Sequence, residues 1–65
     1  MENDRAQVKY DAFLYYGSFY MCRLEIKYGD IWDVIHKGTK FAILERFHVR
    51  IEIEIEDFEQ HFVMM

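Results

Sequence analysis

The chain has 65 residues, of which 52% are apolar and 31% are charged, with no proline and twelve aromatic side chains (six Phe, five Tyr and one Trp). It is too apolar for a disordered segment and too short for two domains, so we predict a single domain over residues 1–65. A domain of this size buries only about 60% of its unfolded surface. Because Cys22 is the only cysteine, neither a disulfide within the chain nor a Cys-rich zinc site can supplement the core, and we expect a homodimer.

The charge balance argues against a nucleic-acid partner, and the lack of a long apolar run argues against a membrane partner. Eight basic residues are scattered among twelve acidic ones, for a net charge of -4, whereas a nucleic-acid-binding protein normally concentrates Lys and Arg on one face. The first residues contain no apolar signal segment, and no run approaches the roughly 20 apolar residues of a membrane span. We therefore expect a protein of the cytoplasm.

The N-terminal half predicts a β-hairpin after a frayed segment at 1–7. Apolar and polar residues alternate over 8–16 and again over 20–28, with a break at Gly17 and Ser18. A three-residue loop, or an equivalent bulge, leaves one face wholly apolar, because a slip of one residue would exchange the two faces. It sets Tyr16 opposite Tyr20, Leu14 opposite Cys22, Ala12 opposite Leu24 and Tyr10 opposite Ile26. Phe13, Tyr15 and Met21 then lie on the outer face near the tip and suggest a covering surface.

The next segment predicts a helix of about two turns. Asp30 is a suitable N-cap and Gly38 a suitable stop, and Ile31, Val34 and Ile35 share one side by their i, i+3, i+4 spacing. On such a helix Trp32 and His36 point together away from the core.

Residues 41–56 predict a long strand with a bulge or turn near Glu45-Arg46, since the segment exceeds the usual strand length. From Phe47 on, its apolar residues alternate with polar ones, which predicts that Phe47 faces the core. The tail, 57–65, places Phe58 and Phe62 four residues apart and is either a last helical turn or a frayed extension. The predicted fold is therefore α+β: a three-stranded antiparallel sheet with one short helix between strands 2 and 3, assembled as a homodimer.

Chemistry-bearing residues give little sign of catalysis. The three histidines, His36, His48 and His61, lie 12 and 13 residues apart without a metal-binding pair, and Cys22 falls on the apolar face of a strand with no base placed beside it. We predict no enzyme activity, no metal and no cofactor.

The acidic row Glu52, Glu54 and Glu56 has two interpretations. It is a solvated strand face that protects a sheet edge from unwanted pairing, or a row of carboxylates about 6.7 Å apart, close to the phosphate repeat along one DNA strand. Trp32 likewise is either covered by the tail or exposed as the anchor of a dimer or partner interface.

Four places in the sequence resemble the small dimeric uracil-DNA glycosylase inhibitors of protein-primed Bacillus phages. They are Tyr10-Asp11, the strand end Leu24 to Gly29, the segment Trp32 to His36, and Thr39. The resemblance covers about residues 8 to 56. The sequence departs from the family at His36, where the family has a tyrosine, in the lengths of the connections before and after the expected helix, and in the C-terminal tail, which has no counterpart.

The resemblance implies a phage-encoded inhibitor of host uracil-DNA glycosylase that mimics DNA. In that family, helix aromatics of two subunits form an apolar pocket for the side chain that the enzyme drives into DNA, while acidic groups occupy the DNA-binding groove. By position, Trp32 takes the role of the pocket aromatic, His36 that of the tyrosine one turn on, and Asp33 and Glu25 those of acids contacting the enzyme. The alternatives are an acidic phage-type inhibitor of another nucleic-acid-binding machine, such as a CRISPR effector, and a purely structural dimerising module.

Overall fold

A computed structural model describes residues 4–65, which form two antiparallel sheets and one short helix. The elements in chain order are β1 (Asp4–Val8), β2 (Ala12–Tyr16), a 3-10 turn (Ser18–Tyr20), β3 (Cys22–Ile26), β4 (Ile31–Lys37), β5 (Phe41–Arg46), β6 (Val49–Glu54), α1 (Ile55–His61) and β7 (Phe62–Met64). The larger sheet has the strand order β6-β5-β4-β1-β7, and β2 pairs with β3 as a separate hairpin. The predicted three-stranded sheet with a helix between strands 2 and 3 is therefore wrong.

Strand β1 lies inside the larger sheet, although the sequence predicts a frayed segment there. It pairs with β4 on one side, with Ala6 opposite Trp32, and with β7 on the other, with Ala6 opposite Met64. Only Ala6 and Val8 of the strand are buried. Two apolar residues in a polar stretch are a weak sequence signal, and pairing on both sides supplies the hydrogen bonds that hold the strand. Residues 1–3 of the predicted frayed segment lie outside the described part of the chain.

The segment predicted as a helix is strand β4. The helical spacing of Ile31, Val34 and Ile35 extends over only five positions. The segment also alternates, with Trp32 and Val34 buried and Asp33 more accessible between them. Strand pairing with β1 or β5 includes every residue of the segment except Ile35 and decides between the two patterns. Asp30 is accordingly not a helix cap: its carboxylate accepts a hydrogen bond from the Lys27 backbone N–H at 3.1 Å and pairs with Arg46 at 3.0 Å.

The hairpin is confirmed, but its register differs by two residues from the predicted one. Tyr16 lies opposite Cys22, Leu14 opposite Leu24 and Ala12 opposite Ile26. The loop is thus five residues long, 17–21, and still odd, so the same side chains share the inner face. Cys22, predicted to be a core residue, is exposed because the longer loop moves it to the rim of the sheet.

The predicted long strand at 41–56 divides into β5 and β6 at a turn one to two residues past the expected place. Phe47 and His48 form this turn with φ of 50° and 66°, so both adopt the left-handed conformation. Phe47, predicted to face the core, is 81% exposed as a result, and its ring lies 4.6 Å from the Arg46 guanidinium.

The tail follows the helical alternative and then adds a strand. Helix α1 carries Glu56 and Asp57 in its first turn, where the helix dipole favours acids, and β7 returns to pair with β1. Phe58 and Phe62 stack with ring centroids 5.4 Å apart and are both buried.

The core lies between the two sheets and beneath α1. It draws on every strand of the larger sheet, on the inner face of the hairpin and on the helix; its buried residues are Ala6, Val8, Leu14, Ile26, Trp32, Val34, Ala42, Leu44, Ile51, Ile53, Phe58 and Phe62. Tyr10, Tyr20 and Tyr28, which the alternation assigns to the core face, are exposed.

Candidate functional site

Trp32 lies in the core and not on the surface that the predicted helix would give it. The side chain is 4% exposed, and its indole N–H has no hydrogen-bond partner among the described residues. It lines a small cavity of about 150 Å³ together with Glu25, Arg46 and Phe47. Trp32, to which the resemblance assigns the role of the pocket aromatic, is therefore buried and not available to a partner in this fold.

A β-bulge separates Trp32 from His36. The pairing of β4 with β5 shifts between Val34 and His36, so one extra residue reverses the faces of the strand. Trp32 consequently points inward, whereas His36 is exposed at the far end, with its ring 5.5 Å from that of Phe41. The two residues that a helix would bring together thus lie on different surfaces.

The two acids predicted to contact the enzyme already have basic partners. Asp33 pairs with Arg5 at 3.5 Å, and Glu25 pairs with Lys27 at 3.1 Å. The hydrogen bond to Glu25, with its negative charge, holds the pKa of Lys27 above its usual value. Both pairs are exposed, so they add little stability and leave these acids able to exchange partners.

The acidic row lies at the sheet edge and continues into the helix. Glu52 and Glu54 alternate with buried isoleucines on the edge strand β6, and Glu56 follows in α1. None of the four ion pairs found within residues 4–65 involves any of the three. The row is therefore an acidic surface without basic neighbours bound to it.

The hairpin tip and the edge strand enclose a groove of about 560 Å³. Aromatic side chains form half of its lining, Glu52 and Glu54 lie along β6, and Ile53 is buried between them. We call it the aromatic-acidic groove, defined by Tyr15, Tyr16, Phe19, Tyr20, Phe41, Glu52 and Glu54.

A hydrogen bond joins the two sides of the aromatic-acidic groove. The Tyr20 hydroxyl donates to Oε1 of Glu54. This hydrogen bond, followed by the negative charge of Glu54, raises the pKa of Tyr20 above its usual value, so the phenol stays protonated and keeps donating. The tip is thereby tied to the edge strand at the mouth of the groove.

The backbone of the tip adopts conformations that side chains disfavour. Gly17 has φ of 82°, and the next two aromatic residues, Phe19 and Tyr20, have φ of 57° and 55°. A left-handed conformation costs a residue with a side chain about 1–2 kcal/mol. Phe19 is held 93% exposed by this arrangement.

The sequence does not predict the aromatic-acidic groove. Alternation places Tyr16 and Tyr20 on the core face, and only the apolar residues on the outer face near the tip indicate a surface that needs a cover. A cluster of aromatics in a loop next to a glycine, Gly17 to Tyr20, is the local signal that points to it. Its acidic side belongs to a strand more than thirty residues away, which only the tertiary fold brings to the tip.

Within residues 4–65, no group of three or more His, Cys, Asp or Glu side chains is placed to hold a metal ion. None of the helices described is long and apolar enough to cross a membrane. The chain matches no protein-family model, no curated protein and no solved structure.

Proposed function

We propose that the chain is an acidic binding protein that covers the positively charged, nucleic-acid-binding surface of another protein, with host uracil-DNA glycosylase as the target. The observation that carries the proposal is the acidic row on β6 and α1, which has no bound basic partner within residues 4–65. Glu52 and Glu54 lie two residues apart on the edge strand, which places them about 6.7 Å apart, close to the phosphate repeat of one DNA strand, and Glu56 extends the negative charge into α1. The sequence resemblance supplies the identity of the target.

The proposed inhibitor works without the Trp32 pocket. Since Trp32 is buried, the contacts with the enzyme come from the acidic row and from acids whose ion pairs are exposed, Glu25 and Asp33, with His36 at the far end of β4. Competition with DNA for one basic surface is sufficient for inhibition, and no catalytic step by this chain is involved. The site of action proposed is the host cytoplasm, where the glycosylase meets the viral DNA.

Self-association is part of the proposal. Phe13 and Met21 are exposed on the hairpin outside the aromatic-acidic groove, where a second copy would remove apolar surface from water. Native mass spectrometry of the chain with and without glycosylase tests both features, and we expect two copies bound to one enzyme. A monomer at all concentrations used would contradict the homodimer.

Glycosylase activity on uracil-containing DNA, measured with an excess of the chain, tests the target. We expect full inhibition by the unaltered chain and an inhibition constant at least about tenfold weaker for the double variant Glu52→Gln/Glu54→Gln, since charge-assisted contacts at interfaces contribute more than about 1.4 kcal/mol. The control Asp4→Asn/Glu59→Gln removes the same number of charges at exposed carboxylates outside the row and should inhibit like the unaltered chain. A glycosylase that works at full rate in excess chain would show that the target is wrong.

The runner-up is an acidic inhibitor of a different nucleic-acid-binding protein, and the same acidic row favours it. Capture from a bacterial lysate separates the two, because only the first predicts recovery of the glycosylase. Recovery of another nucleic-acid-binding protein, lost with Glu52→Gln/Glu54→Gln and kept with the control, would support the runner-up.

A further inference from the structure

The aromatic-acidic groove brings aromatic side chains and two carboxylates together in one concave surface. The face of an aromatic ring and a carboxylate both attract a positive charge, so their contributions add at one place. A neutral ligand would gain only part of this combination, and the carboxylates would repel an anionic one.

The carboxylates retain capacity to accept further hydrogen bonds. Glu54 uses Oε1 for the Tyr20 hydroxyl, and no hydrogen bond among the described residues uses its Oε2 or either oxygen of Glu52. Because Glu52 and Glu54 are two residues apart on one strand, they share its outer face. A donor with several N–H groups in one plane could reach both.

We propose that the aromatic-acidic groove binds the guanidinium group of an arginine side chain presented by a partner protein. Arginine fits better than lysine, because a guanidinium is planar, stacks on aromatic rings and donates in a fork to carboxylates, whereas an ammonium is a compact and strongly hydrated charge. The inference rests on the proposed function to the extent that the partner there is a protein with a basic surface.

The hairpin tip is the part of the chain that makes the groove. Its hydrogen bonds, from Tyr20 N–H to the Gly17 carbonyl at 3.0 Å and from Met21 N–H to the Ser18 carbonyl at 3.2 Å, hold Phe19 and Tyr20 in their left-handed conformations. These conformations turn Tyr20 toward Glu54 and leave the ring of Phe19 exposed at the groove. The wall is thus preformed before any ligand binds, which lowers the entropic cost of binding.

The test uses short blocked peptides and the isotope-labelled full chain. Acetyl-Gly-Arg-Gly-amide is titrated while the backbone amide signals of Gly17, Tyr20, Glu52 and Glu54 are followed by NMR. Three matched peptides replace arginine by citrulline, which keeps the shape without the charge, by lysine, or by norleucine. We expect the arginine peptide to bind at least about tenfold more tightly than the citrulline and norleucine peptides, with lysine in between.

Variants of the chain locate the binding. Glu52→Gln/Glu54→Gln should weaken the arginine peptide about tenfold, while the glutamine amide oxygen can still accept the Tyr20 hydrogen bond and keep the tip in place. Asp4→Asn/Glu59→Gln, which carries the same change in net charge at exposed carboxylates that do not line the groove, should bind like the unaltered chain. Equal binding of the citrulline or norleucine peptide, unchanged binding by the groove variant, or shifts confined to other residues would each overturn the proposal.

The glycosylase assay separates this inference from the proposed function. Arginine-selective binding that depends on Glu52 and Glu54, in a chain that fails to inhibit the enzyme, would support the groove and contradict the target. Inhibition of the enzyme together with no selectivity for the arginine peptide would support the target and contradict the groove.

Discussion

Replacement of Trp32 distinguishes a core residue from a partner-binding one. An aromatic side chain buries about 150–250 Å² on folding, which at about 25 cal/mol per Å² corresponds to roughly 4–6 kcal/mol for a residue that is only 4% exposed. Its indole N–H is buried without a partner, a cost of about 1–3 kcal/mol that Trp32→Ala would remove. We therefore expect Trp32→Ala to lower the free energy of unfolding by about 3 kcal/mol, at the lower end of the range for such truncations.

That loss is large for this chain. A domain of 65 residues has a free energy of unfolding of about 3–10 kcal/mol, so the substitution removes between a third and all of it. With a urea m-value of about 1 kcal/mol per molar, the midpoint falls by about 3 M, or the variant is unfolded without denaturant. Urea titration followed by far-ultraviolet circular dichroism measures the shift.

Trp32→Phe is the matched control. It keeps most of the apolar volume and removes the unpaired N–H, so we expect a loss below about 2 kcal/mol and unchanged binding to any partner. A Trp32→Ala variant whose urea midpoint moves by less than about 0.5 M while partner binding is lost would refute the core position and restore the residue to an interface.

Two further predictions concern the backbone turn and the hairpin tip. His48 has φ of 66°, a conformation that strains any residue with a side chain. His48→Gly should therefore be more stable than His48→Ala by about 1 kcal/mol, which corresponds to about 4–8 °C in melting temperature. The reverse order would contradict a left-handed turn there. The hydrogen bond to Glu54 raises the pKa of Tyr20 in the folded chain above its unfolded value. The contribution of this hydrogen bond to the free energy of unfolding is therefore fully present below about pH 10 and is lost as the pH rises through the folded-state pKa. Tyrosinate absorbance should show one late-ionising group in the unaltered chain that Tyr20→Phe removes. If the group missing from the Tyr20→Phe titration is not a late-ionising one, the hydrogen bond to Glu54 is contradicted.

The hairpin shows what local sequence determines here. Within β2 and β3, alternation determines which side chains share a face, and the odd loop follows from it. The alternation does not fix the loop length, because a shift by two residues keeps every face unchanged: Leu14 pairs with Leu24 instead of Cys22 without any change of side. The loop length is decided by the tip, where Tyr20 leaves the strand to contact Glu54 on a distant strand.

Strand β4 shows what local sequence leaves undecided. Ile31 to Lys37 supports both a helical and a strand spacing, and the deciding contacts come from β1, whose own residues give a weak signal. The bulge between Val34 and His36 is invisible to periodicity, since it is a break in period two within seven residues. Without the bulge, Trp32 and His36 would lie on the same face of the strand. Periodicity therefore could not reveal that they lie on different surfaces.

The structure also bears on the two interpretations of the acidic row. Carboxylates that only prevent other strands from pairing with the edge of β6 need to face water and need no partner from the hairpin. Here Tyr20 donates to Glu54, and the tip that makes this contact keeps two consecutive aromatic residues in left-handed conformations at a cost of about 1–2 kcal/mol each. Edge protection does not require a contact between Glu54 and the hairpin tip, whereas a groove with one aromatic and one acidic side does. The row therefore fits a binding surface better than a guard alone, and Glu54 is the residue at which the two roles meet.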